Sequence, residues 1–124
     1  PGKPLPEREA RMLLVEDDRG RVLLQRRPPT GVWAALWSLP EHADAAASRD
    51  WFDQHLAGDF ARAEALAPVL HGFTHYRLRI LPMRVAGVRP RDAVGDNPGL
   101  RWASRAELQA IGLPAPVRRL LEDG

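Results

Sequence analysis

The run RMLLVEDDRGRVLLQRR constrains the chain most. Two segments with apolar centres, residues 11–17 and 21–27, are separated by only Asp18, Arg19 and Gly20. Parallel neighbours need a crossover of a dozen residues or more, so a three-residue connection leaves the antiparallel hairpin, with glycine supplying the backbone freedom of the turn. The leucines of both strands then have to be covered by later parts of the chain. With 124 residues, 44% of them hydrophobic, there is enough material for one such core and hardly for two.

What flanks the hairpin is of a different character. Residues 1–9, PGKPLPERE, hold three prolines and a glycine in the first six positions. That composition favours extended, uncooperative backbone and is expected to be a linker from a longer protein, with the folded domain occupying residues 10–124. After the hairpin, PPTGVWAALWSLPE (28–41) has prolines and Gly31 at its start and is expected to be an ordered loop. Trp33, Leu36 and Trp37 are costly to leave in water, and burial against the core competes there with stacking on nucleic-acid bases. Asp44 reads as the N-cap of a helix reaching about Leu56, with Gly58 just past its end; Trp51, Phe52 and Leu56 share one face, opposite Arg49, Asp50, Asp53 and Gln54. Residues 59–68 are an alanine-rich connection closed by Pro68.

From Val69 the pattern turns to strand, breaks at Gly72, and resumes with Tyr76, Leu78 and Ile80 on one face and His75, Arg77 and Arg79 on the other. A shift of phase near Pro82 implies a bulge or a sheet edge, because proline cannot donate to a ladder. Residues 87–100 read as loop. Ser104 with Glu107 forms a capping box, and Val117, Leu120 and Leu121 give a terminal helix its apolar stripe. The order of elements is α+β.

Charge is uneven. Net charge is +2, but residues 1–70 carry nine basic and eleven acidic side chains while residues 71–124 carry nine and five. Between His71 and Arg91 stand Arg77, Arg79, Arg84, Arg89 and Arg91 and no carboxylate. Such a stretch is either a field for phosphates or a solvated strand face. No apolar run approaches the roughly 18 residues of a membrane span. The absence of cysteine excludes disulfides and thiolate metal sites, and with no signal peptide visible a soluble, cytoplasmic monomer is the expectation. His42, His55 and His71 show no ligand spacing.

Hairpin, loop, amphipathic helix and later sheet in this order resemble the Nudix fold, a mixed β-sheet flanked by helices in an α/β/α sandwich. The family's catalytic box is in register: Glu41 is followed by seven residues and then by Arg49. Its chemistry is altered. Ala35 stands where the first glycine belongs, Asp50 and Asp53 are each one methylene short of glutamate, Gln54 replaces a glutamate, and Leu56 replaces the second glycine. Nudix hydrolysis needs closely set carboxylates on the helix to hold octahedral Mg²⁺, and two shortened acids with an amide are a poor substitute. A diphosphate hydrolase is the alternative that this box leaves open, and a protein-interaction module using the Trp33 and Trp37 loop is another.

A degenerate Nudix domain behind a proline-rich lead-in resembles the C-terminal domain of MutY-type adenine DNA glycosylases. LPERE (5–9), LLQRRPPTGVWAALWSLPE (23–41), HGFTHYRLRILPM (71–83), RWASRAEL (101–108) and LPAPVRRLL (113–121) carry the likeness. The resemblance implies an N-terminal helical domain that excises adenine and holds a four-cysteine iron-sulfur cluster; this segment would contain no cofactor and no catalytic residue. It implies recognition of 8-oxoguanine opposite adenine in duplex DNA, during base excision repair, through Phe73, Thr74 and His75. 8-Oxoguanine differs from guanine in gaining O8 and in turning N7 into an N–H donor, and a threonine hydroxyl or its backbone can meet either. The family usually has serine where Thr74 stands. Phe73 fits an apolar wedge between base steps, or else a core position; His75 fits a loop-orienting or phosphate role, with Arg77 and Arg79 beside it.

Overall fold

The computed structural model describes residues 4–90 and 97–123. In chain order the elements are β1 (Glu7–Asp17), β2 (Val22–Arg26), β3 (Trp37–Ser38), β4 (Glu41–His42), α1 (Ala45–His55), β5 (Leu56–Ala57), a 3-10 turn (Phe60–Arg62), β6 (Glu64–Ala65), β7 (Val69–Gly72), β8 (Arg77–Pro90), β9 (Leu100–Ala103), α2 (Arg105–Leu108) and α3 (Ala115–Asp123). The expected hairpin is β1 and β2, paired antiparallel. Its turn is closed by Asp17, whose carboxylate accepts from the backbone N–H of Arg19 (3.0 Å) and of Arg21 (2.8 Å) and from Arg21 Nε (2.6 Å), while Gly20 takes φ +77°. Burial raises the Asp17 pKa, but these hydrogen bonds to its ionised form outweigh it and hold the carboxyl below its ordinary value.

The sheet is mixed. Its path runs β3-β2-β1-β8-β5, with β9 beside β2, β4 beside β1, and β6 and β7 beside β8. β1 and β8 are parallel from Glu7↔Arg77 to Asp17↔Val88, and the other pairs are antiparallel. Both faces are covered, as an α/β/α sandwich requires. Met12, Leu14, Val22, Leu24, Leu78 and Ile80 pack with Leu108, Val117, Leu120 and Leu121 of α2 and α3. Leu13, Val15, Leu23, Val85 and Val88 pack with Phe52 and Leu56, at and just past the end of α1.

The reading of Pro82 holds in part. β8 is not at an edge, since it lies between β1 and the β5, β6 and β7 segments. The pairing is irregular there, however: between the Ala65↔Met83 pair of β6 and the Val69↔Ile80 pair of β7 one extra residue stands opposite Leu81 and Pro82, as expected where proline cannot donate to a ladder. The buried face also changes, with Leu78 and Ile80 turned to α2 and α3 and Val85 turned to α1. A second register irregularity lies between the Val15↔Val85 and Asp17↔Val88 pairs, where Gly87 takes φ +67°. Of the expected loop 87–100, residues 87–90 continue β8 and Leu100 opens β9, while residues 91–96 lie outside the described residues.

Two other boundaries differ from expectation. Residues 7–9 of the expected linker are the first part of β1. The reason is electrostatic as well as steric, since Glu7 and Glu9 stand in register with Arg77 and Arg79. At α1, Asp44 caps as expected, accepting from Ala47 N–H at 2.8 Å. The helix ends not on a glycine but at Leu56, which leaves in extended conformation and pairs with Pro90. Gly58 is closely packed: a Cβ there would lie 3.3 Å from both Phe52 Cζ and Val88 Cγ2, so that those side chains would have to give way slightly. The Ser104 and Glu107 capping box is formed reciprocally, and no helix of the described residues is long and apolar enough to cross a membrane.

Candidate nucleic-acid interface

β7 and β8 form a hairpin whose tip is residues 73–76, closed by Phe73 N–H donating to Tyr76 C=O at 2.8 Å. Thr74 and His75 occupy the apex and are exposed. Gly72, just ahead of the tip, has open space where a Cβ would be. Phe73 is half-buried, neither a core residue nor a free wedge. Its ring lies 4.7 Å from His71, 4.7 Å from Tyr76 and 5.2 Å from Trp33, measured between centroids. Trp33 in turn lies 5.5 Å from His71. The four rings make an aromatic shelf under the apex, on the sheet face that carries Leu78 and Ile80.

Trp33 reaches that shelf through the conformation of its loop. Arg27 N–H donates to Leu36 C=O (2.8 Å) and Ala35 N–H to Pro28 C=O (2.8 Å), so residues 28–36 close on themselves. Trp33 and Ala35 have φ of +54° and +60°, a left-handed backbone that glycine takes most readily. The position where the Nudix box has its first glycine therefore keeps glycine's conformation with an alanine. Arg27 ties the loop down, donating through Nε to Val32 C=O (3.1 Å) and through Nη1 to Glu41 (2.9 Å). A cleft of about 290 Å³ opens between this loop, the start of β1 and the tip; Arg8, Arg27, Trp33 and Tyr76 are among its walls.

The five arginines do not make one field. β8 rises about 3.3 Å per residue, so Arg77 and Arg89 lie roughly 40 Å apart. Arg84 is paired with Glu16, a buried carboxylate also held by Arg105 at 3.2 Å. Arg79 has Glu7 at 4.0 Å, and its Nε is enclosed without a hydrogen-bond partner among the described residues. Arg77 is exposed beside the tip, and Arg91 lies outside the described residues. Carboxylates absent from residues 71–91 are thus supplied by β1, which only the parallel pairing reveals.

Four residues of the tip's surroundings were not singled out for this site in the sequence: Arg8, Trp33, His71 and Tyr76. One signal was present, the charge pattern Glu-Arg-Glu at 7–9 matching Arg-Leu-Arg at 77–79 across a strand pair. Nothing at Trp33 itself announces the left-handed turn that sends it to the shelf.

The positions of a Nudix metal site do not suit Mg²⁺. Glu41 is engaged by Arg27 at 2.9 Å, Asp53 lies 4.0 Å from Arg49 Nε, and position 54 is an amide. Among the described residues no three His, Cys, Asp or Glu side chains gather as a metal-ligand group. His42 and His55 are satisfied, by Ser48 Oγ at 3.1 Å and by Trp51 C=O at 2.9 Å. Burial holds the His42 pKa below its ordinary value, with His55 adding to the shift and Glu41 and Asp44 opposing it.

An adenine DNA glycosylase of Buchnera aphidicola subsp. Acyrthosiphon pisum (strain APS) is 22% identical over 121 residues, covering 98% of this chain and 34% of the relative. The chain thus spans about a third of that protein's length. In fold it is similar to a chain in the crystal structure of the complex between the C-terminal domain of mouse MUTYH and human PCNA, with TM-score 0.74 at 20% identity over 92% of this chain and 84% of that one. It is also similar to a MutT NUDIX hydrolase from Burkholderia pseudomallei, with TM-score 0.68 at 22% identity over 94% and 96% of the two chains. The NUDIX domain family matches residues 11–123. A match that starts in β1 and ends in α3 takes in almost the whole described fold, and the chain belongs to the NUDIX domain family.

Proposed function

We propose that this chain is the lesion-reading domain of an adenine DNA glycosylase, recognising 8-oxoguanine opposite adenine in duplex DNA. The observation that carries the reading is the tip of the β7–β8 hairpin, where the Thr74 hydroxyl and the His75 ring are exposed at an apex supported by aromatic rings. A polar atom on a projecting, two-residue apex can approach a base edge that a hydroxyl inside a sheet cannot. Thr74 meets N7–H or O8 of the oxidised purine, Phe73 presents its ring to the neighbouring base step, and His75 and Arg77 lie toward the sugar-phosphate backbone. Arg79 serves the same backbone less directly, since Glu7 stands beside it. Adenine excision and the iron-sulfur cluster belong, in this reading, to a separate N-terminal domain of the same protein.

One good base contact is worth about 1–3 kcal/mol, roughly 10- to 100-fold in preference. Against the million or more competing sites of a genome this does not suffice alone, so the readout adds to duplex distortion and to base flipping by the catalytic domain. The test is the ratio of affinities for 8-oxoguanine·adenine and guanine·adenine duplexes. Thr74→Ala and Phe73→Ala should each lower the ratio; an unchanged ratio in both rejects the assignment.

A further inference from the structure

A hairpin tip that reads one base needs cations for the phosphates on both sides of it, and the arginines nearest in sequence serve only one side. Arg77 and Arg79 alternate with Tyr76 and Leu78, which puts them on the sheet face opposite the aromatic shelf, in register with Glu7 and Glu9. Arg27 is on the shelf side but is taken by Glu41 and Val32. Arg8 differs from all three. It is exposed, its guanidinium lies 4.6 Å from the centroid of the Tyr76 ring, and it makes no ion pair among the described residues. Parallel pairing with β8 brings it there, opposite Leu78.

We propose that Arg8 is a DNA-phosphate contact of the hairpin tip, held ready by its packing on Tyr76. The inference rests on the lesion-reading function proposed above. From the Arg8 guanidinium to the Tyr76 ring is 4.6 Å and from that ring to Phe73 is 4.7 Å, which keeps the cation within about three base-pair steps of the ring. A guanidinium over an aromatic face keeps its in-plane N–H groups free, and those are the groups that meet phosphate oxygens in pairs. Packing also limits the rotamers that binding has to freeze, so less entropy is lost on contact.

The salt dependence of binding tests this directly, because each neutralised phosphate of duplex DNA contributes about 0.9 to the slope of log K against log salt. Binding of the chain to 8-oxoguanine·adenine and guanine·adenine duplexes is measured by fluorescence anisotropy over a salt series. Arg8→Gln is expected to make the slope shallower by about 0.9 on both duplexes and to leave their affinity ratio unchanged. Arg8→Lys should restore the slope, and Arg49→Gln, the same charge change on α1, should not alter it. A slope unchanged in Arg8→Gln, or changed equally by Arg49→Gln, overturns the proposal. Weakened binding of the mononucleotide dGMP with an unchanged duplex slope overturns it too, by assigning Arg8 to a nucleotide in the cleft. Failure of the lesion-reading function has a different signature, an affinity ratio that Thr74→Ala and Phe73→Ala leave alone.

Discussion

Removing the Trp33 ring should loosen the β7–β8 hairpin tip by an amount that the shelf geometry allows to be stated in advance. Phe73 has aromatic neighbours at 4.7, 4.7 and 5.2 Å. Such pairs contribute about 0.5–1.5 kcal/mol each beyond the area they bury, so three of them hold the Phe73 ring by roughly 1.5–4.5 kcal/mol. The Trp33 contact is one of the three. A double-mutant cycle of Trp33→Ala and Phe73→Ala, followed by far-ultraviolet circular dichroism in urea, should therefore show a coupling of about 0.5–1.5 kcal/mol. Circular dichroism is preferred to tryptophan emission because one variant lacks a tryptophan. With the ring less firmly held, Trp33→Ala should also lower the preference for 8-oxoguanine, by up to about tenfold for a loss near 1.4 kcal/mol. A coupling below about 0.3 kcal/mol, the level of independent sites, would refute the idea that the 28–36 loop supports Phe73.

Ala35→Gly should raise stability by about 0–1 kcal/mol, because relief of the left-handed strain at φ +60° exceeds or matches the extra chain entropy of glycine; a loss of more than 1 kcal/mol in thermal melting would contradict this. Asp44→Ala should cost about 0.5–2 kcal/mol in urea denaturation through loss of the α1 cap. Asp17→Asn should cost about 1–3 kcal/mol at neutral pH, since a neutral amide accepts the turn's hydrogen bonds less strongly. The Asp17 carboxyl is held below 3.8, so its contribution is complete above that pH and disappears as pH falls through the folded value; the variant's denaturation midpoint should be less acid-sensitive there. His42 is also held below its ordinary 6.5, but as a base, so the folded state binds the proton less readily than the unfolded chain. Stability should decline as pH falls from 6.5 and level off below the folded value, and His42→Gln should reduce that decline.

How much was legible in the sequence depended on whether the cause was local. The β1–β2 hairpin, the Asp44 cap, the capping box at Ser104 and the stripe of α3 each follow from residues a few positions apart, and each is present. Thr74 and His75 were singled out through the family resemblance; that both stand exposed ahead of β8, and that His75 is not a strand residue, only the structure shows. Pairings across the chain did not show. That β1 lies parallel to β8 cannot be read from either strand, and it decides the surroundings of Arg79 and Arg84, the start of β1 at Glu7 and the place of Arg8. At Pro82 the irregular pairing was legible, because a missing N–H disturbs a ladder locally, whereas the interior place of β8 was not, because its partner β1 is distant in the chain. The role of Trp33 depended on two positive φ angles in a loop, for which the hint was the box glycine that Ala35 replaces; Trp33 itself gives no warning.

The parallel register of β1 and β8 has one further outcome. Since Glu7 lies beside Arg77, the six residues before it can reach no more than about 20 Å from the tip end of the β7–β8 hairpin. Any domain joined ahead of them would be leashed at the hairpin-tip end of the molecule and not at the far end of β8. Under the proposed function, its local concentration at the same stretch of duplex would be in the millimolar range, so that two weak grips, neither sufficient alone, would reinforce one another without touching.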